Sequence, residues 1–137
     1  MVVRLRVRIK SGEHSVTAIA VANSGFEASE PQVVIPLELA GKLGITRGNT
    51  LIEEFEVAGG VKTLGYRLEK PALLELDLED RESPAVEVVV SALPGEREVI
   101  LSDYVLSKLG IVILDPYRGL WCLRDEVGRK VRASVKG

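Results

Sequence analysis

No apolar run in this chain is long. Aliphatic residues fall into stretches of strand length, roughly four to eight residues, each closed by a turn signal. Val3 to Lys10 alternates apolar with basic residues, and that period of two specifies a strand with one buried and one solvated face. Ser11-Gly12-Glu13-His14 turns the chain, so Val16 to Ala22 pairs back on it as a hairpin. Further strand-like runs are Gln32 to Ile35, Leu51 to Val57, Val61 to Leu68, Leu73 to Leu78, Ala85 to Val90 and Arg97 to Leu101, then Ile111 to Leu114 and Leu120 to Leu123. Only two windows carry helical spacing. Leu37, Ala40 and Leu43 lie between Pro36, suited to a first helical turn, and Gly44, suited to a helix end. Tyr104, Val105, Leu106 and Leu109 follow a capping residue, Ser102 or Asp103, and stop at Gly110. The expected fold is all-β: a closed barrel of about six to seven strands with two short helices, near residues 36–43 and 103–109.

At 137 residues the chain can bury its own core as one domain. Residues 1–124 hold all of the strand and helix signals above. Residues 125–137 are a charged tail whose weak alternation at Val131, Ala133 and Val135 suits either a last edge strand or disorder. The run Arg129-Lys130-Val131-Arg132 within it reads as a solvated end. A net charge of −2 sets up no field that would recruit nucleic acid. The four cations of the first strand read as a solvated face. No stretch reaches the ~18 apolar residues of a membrane span, and the N-terminus lacks the apolar core of a signal peptide. Cys122 is the sole cysteine, which rules out an intrachain disulfide and suits a reducing compartment, the cytoplasm. Gln, Asn, Cys and Met are scarce while charged residues reach 28%, a composition that leans towards a thermophile.

Metal, nucleotide and thiol chemistry find no motif. His14 stands alone in a turn with no partner for a metal site or a triad. Gly41-Lys42 lacks the upstream glycine and the following Ser or Thr of a phosphate loop. Cys122, beside Trp121 in an apolar strand, has no base near it in sequence and reads as core or interface. No cofactor is expected.

What remains is the stretch Ala20-Val21-Ala22-Asn23-Ser24-Gly25-Phe26, where an apolar strand runs into a small polar turn, followed by the helix window at Pro36 to Gly44. A second segment, Val99 to Ile111, has an apolar strand, Ser102, a helix and then Leu-Gly. Between them lies a hairpin with Ala58-Gly59-Gly60 at its turn. In this order the three segments, spread over residues 3 to 123, resemble the retropepsin-like aspartic proteases. Their motif is Asp-Thr/Ser-Gly.

The resemblance implies an acid-protease β-barrel that works as a homodimer on polypeptide. Each chain brings one such turn, and two carboxylates sharing a proton hydrolyse the peptide bond. It places Asn23, Ser24 and Gly25 at the catalytic turn. It places Phe26 and the hairpin tip Ala58, Gly59 and Gly60 against substrate. The N-terminal strands and the apolar strand near Ile111 become candidate interface elements. This sequence departs from the family at three points. Asn23 stands where the family has its aspartate, and an amide cannot act as general base. Phe26 adds bulk where a small residue is usual, and Ser102 replaces a glycine.

Three readings follow. The first is an inactive, dimeric homologue that can still bind extended peptide. The second is an active aspartic endopeptidase. In that reading Asn23 is an engineered change, deamidation restores an aspartate, or Glu27 or Glu30 stands in for it. The third is a structural or interaction module.

Overall fold

The computed structural model describes residues 2–22, 25–56 and 60–135. The alternation at the N-terminus builds β1 (Arg4–Ser11), whose Leu5, Val7 and Ile9 point inwards and are fully buried. Gly12 and Glu13 turn the chain into β2 (His14–Val21), antiparallel to β1 from Ser11↔His14 to Arg4↔Val21. On the outer face of β1 Arg4 and Arg8 are neutralised locally. Arg8 reaches Glu75 at 2.7 Å and Asp77 at 3.1 Å, and Arg4 reaches Glu98 at 2.8 Å.

The next strand, β3 (Gln32–Pro36), is buried along its whole length. A single α-helical turn, α1 (Leu37–Ala40), follows and tightens into a 3-10 turn, Gly41–Leu43, before Gly44 ends it with φ +73°. The inward face differs from the one expected. Leu39, Ala40 and Leu43 pack on the core, whereas Leu37 is 40% exposed.

The chain then forms a hairpin of β4 (Thr50–Glu56) and β5 (Lys62–Leu68), and returns to the barrel with β6 (Ala72–Leu76) and β7 (Val86–Leu93). After a turn at Pro94 and Gly95 come β8 (Val99–Leu101) and α2 (Asp103–Leu109). Ser102 is the cap, its Oγ accepting from the Val105 N–H at 3.4 Å, while Val105 and Leu109 are the buried face. Tyr104 stays partly exposed at the surface.

Six strands close a ring: β3 beside β8, then β2, β1, β6 and β7, with β7 pairing back onto β3 in parallel from Gln32↔Val89 to Pro36↔Leu93. The barrel interior is filled from every stave, by Val3, Leu5, Val7 and Ile9 with Leu74, Val88, Val90, Val33, Ile35 and Leu101 among others. A closed ring leaves no barrel edge to aggregate. A separate three-stranded sheet, β9 (Ile111–Asp115), β10 (Leu120–Leu123) and β11 (Arg132–Ala133), packs Trp121 and Leu123 onto the same core. Cys122, in β10, is fully buried and unpaired.

Arg132 is not a solvated end. Its guanidinium meets Asp80 at 2.8 and 2.9 Å and Glu126 at 2.7 and 2.8 Å, and lies over the Trp121 ring. Two acids converge on this cation: exposed Asp80, 52 residues away in sequence, and buried Glu126, six residues before it.

Candidate functional site

The strand order places the candidate turn. β2 and β3 are consecutive in sequence but not neighbours, because β8 lies between them, parallel to β2 (Ala20↔Val99, Val21↔Ile100) and antiparallel to β3 (Val33↔Leu101, Val34↔Ile100). The link from β2 to β3 therefore passes the end of β8, where α2 begins, and its described part is residues 25–31. The crossing is stitched on both sides. Ala22 donates its N–H to the Val3 carbonyl at 2.9 Å, which extends the β1–β2 pairing by one residue. Past the turn, the Phe26 carbonyl accepts the N–H of Asp103, the first residue of α2, at 2.9 Å. The helix donor has no intrahelical partner, so the loop satisfies it. Ser102 donates its own N–H to the Gln32 carbonyl at 3.1 Å. With its Oγ turned into the α2 cap, Ser102 fits at full burial where the resemblance has glycine.

Asn23 and Ser24, the first two residues of the candidate catalytic turn, lie outside the described residues, as do Ala58 and Gly59 of the hairpin tip. Gly25 has φ +79°, a left-handed conformation that glycine adopts without strain, and nothing lies within 4 Å of a Cβ built there. Phe26 is half-buried. Gly60, at the described end of the tip, is exposed with φ +76°.

The hairpin is paired in register from Thr50↔Leu68 to Glu56↔Lys62. Alternation gives it two different faces. Ile52, Leu64 and Tyr66 share one face and are solvent-exposed. With Leu37 and Ile45, Ile52 and Tyr66 line an open groove of about 700 Å³. The other face carries Glu53, Phe55, Gly65 and Arg67, and this is the face tied to the candidate turn. Arg67 donates to both oxygens of Glu30, at 2.8 and 3.0 Å, and stands 3.5 Å from Glu53. Hydrogen bonding to Glu30 raises the Arg67 pKa above its ordinary value, against the opposing effect of partial desolvation. Beneath this pair Gln32 donates its Nε2 to Ser91 Oγ at 3.1 Å, and both residues are buried.

These contacts bear on Glu27 and Glu30, the two carboxylates that the sequence offers beside the candidate turn. Glu30 is engaged at both oxygens by one guanidinium, which removes it from service as a free base. Glu27 is exposed. Among the described residues no group of three or more His, Cys, Asp or Glu could hold a metal ion. His14, expected in the turn, is the exposed first residue of β2, and its ring packs against Gly44.

The Arg67–Glu30 and Gln32–Ser91 ties were not readable from the sequence. Their members are 37 and 59 residues apart, and no local spacing relates them. A signal exists only once β7 is known to pair with both β3 and β5.

The chain matches no family model and no curated protein. Among solved structures it is similar to the retroviral protease-like domain of Ddi1 from Leishmania major. Sequence identity is 12% and the TM-score 0.55, over 99% of this chain and 97% of that one. Agreement over nearly the whole length of both chains identifies the fold as a retropepsin-like closed barrel. No helix among the described residues is long and apolar enough to cross a membrane.

Proposed function

We propose that the chain is a retropepsin-like aspartic-protease homologue that acts as a homodimer, binds extended polypeptide beneath the β4–β5 hairpin, and does not cleave it because Asn23 holds the dyad position. The observation that carries this reading is the crossing loop at its described residues, 25–31. It is fixed at the β8–α2 junction by Phe26 and bound through Glu30 to the hairpin by Arg67. A turn and a hairpin joined in this way can enclose a strand-like ligand between them, the ligand adding its backbone hydrogen bonds to theirs.

The chemistry follows from the side chain at residue 23. Peptide hydrolysis by this route needs one carboxylate to take a proton from water while its partner polarises the carbonyl. One chain supplies one such position, so two copies related by a two-fold axis complete a site. An asparagine pair preserves shape and hydrogen bonding but has no proton to exchange. Gly25 gives the backbone a close approach to a bound peptide, and Phe26 and the tip residues Ala58, Gly59 and Gly60 supply its walls. The buried, unpaired Cys122 fits a reducing compartment, the cytoplasm.

The test is proteolysis. The protein as given and its Asn23→Asp form are incubated with a mixed peptide library between pH 3 and 8. The expected outcome is binding without cleavage by the first and cleavage by the second, best at acidic to neutral pH because the paired carboxylates titrate together. Intrinsic cleavage by verified undeamidated protein would overturn the assignment of inactivity to Asn23. Silence from a folded, dimeric Asn23→Asp form would leave a binding or structural role instead.

A further inference from the structure

We infer that Arg67 is a positioning residue for the β4–β5 hairpin: it latches the hairpin root to loop 25–31 and so sets how far the hairpin stands from a ligand beneath it. That a peptide lies beneath the hairpin rests on the function proposed above. The latch itself rests on the following contacts.

The hairpin meets the barrel along a very short seam. β5 pairs with β7 only at Tyr66↔Ala92 and Arg67↔Ser91, and β4 pairs only with β5. A two-stranded ribbon held at one end has little stability of its own, so its position is decided at the root. Arg67 sits in that seam. Its two bonds to Glu30 cross from the hairpin to the loop, and its approach to Glu53 ties the opposite strand into the same cluster. The loop end is itself fixed to the barrel, because Val89 donates its N–H to the Pro31 carbonyl at 2.9 Å. Glu30 is thus a stationary post and the hairpin the part that can swing.

Two side-chain ties cross here at different depths. Gln32–Ser91 is buried within the barrel wall and lasts as long as the barrel does. Arg67–Glu30 is partly solvated, with side chains 29% and 37% exposed, and can open without unfolding anything. That difference makes the outer tie the adjustable one. Both forks of Arg67 are taken by glutamates of its own chain, so its task is to hold the hairpin and not to bind the ligand.

Amide hydrogen exchange on the full chain tests this directly. In Glu30→Gln, the amides of residues 51–56 and 62–65 are expected to exchange about fivefold faster, with β1, β2 and β7 unchanged. Glu53→Gln should give a smaller increase, since its contact is single and longer. The charge-swapped pair Glu30→Arg with Arg67→Glu, made together with Glu53→Gln so that no like charges meet, should restore protection relative to Glu30→Gln with Glu53→Gln, which a packing role for either side chain would not produce. Unchanged hairpin exchange in Glu30→Gln would overturn the latch, as would an equal rise across the barrel. Peptide affinity is read in parallel and is expected to fall in Glu30→Gln. A parent protein that binds no peptide refutes the proposed function while the exchange result still decides the latch.

Discussion

Gly65 shows how a single missing carbon shapes the hairpin face that carries Arg67. A Cβ there would lie 2.4 Å from Leu93 Cδ2 and 2.7 Å from Phe55 Cε2, so its absence is what lets the Phe55 ring and Leu93 close over the strand. Leu93 is buried and Phe55 only half-buried, so the ring would be the part to move. Gly65→Ala gains a little from a less flexible unfolded chain but overpacks this contact. The expected net loss is about 1 kcal/mol by urea denaturation, and adding Phe55→Leu should recover most of it. Ser102 teaches the complementary point. A larger residue is accommodated where the resemblance has glycine because its hydroxyl has a helix N-terminus to cap.

At the scale of elements, the tail is fastened by charge. Arg132 sits between Asp80 and Glu126 and on Trp121, Lys130 adds a second bond to Asp80, and Arg81 binds Asp125 at 3.0 and 3.1 Å and Glu126 at 3.3 Å. Backbone bonds complete the seam: Val135 to the Arg4 carbonyl at 3.0 Å, and Ser134 to that of Gly119 at 2.8 Å. Arg132→Ala should release residues 132–135, seen as lost amide protection, and cost roughly 2 kcal/mol because Glu126 loses its main partner while still buried. The same cluster sets an acid response. Hydrogen bonding from Arg132, and from the Leu123 N–H, lowers the Glu126 pKa from an ordinary 4.5 to about 2. Asp80 is likewise held well below the usual carboxylate range by Arg132 and Lys130. A pKa depressed in the folded state contributes stability above the unfolded value, and that stability is lost as pH falls through the folded one. For Glu126 the loss runs from about pH 4.5 down to about pH 2. A denaturation series in which Glu126→Gln keeps the parent's slope across that window would refute this account.

For the whole molecule the proposal of a shared site makes assembly the decisive property. β9 is the outer strand of its sheet, with the apolar run Ile111-Val112-Ile113-Leu114, and Leu114 is 43% exposed. The protein is expected to sediment as a dimer at micromolar concentration, and Leu114→Asp should weaken association at least about tenfold while leaving the circular dichroism spectrum unchanged. A monomeric parent would remove the basis for a two-chain site.

Local chemistry determined most of the architecture in advance. Alternation in β1, turn residues at Gly12 and Gly95, and helix ends at Gly44 and Gly110 all act within a few residues, so the strands, both helices and the class of barrel were legible. The order of segments also pointed to the fold before any strand was paired. Tertiary structure decided what depends on distant partners. β8 threads between β2 and β3, and β7 pairs in parallel with β3 and so closes the ring. Arg132 goes inwards only because Asp80 and Glu126 converge on it, and Arg67 becomes a latch only because β5 and Glu30 meet at β7. Charge and hydrogen bonding take effect where side chains come within about 3 Å, and that proximity is a product of strand pairing that no sequence window contains.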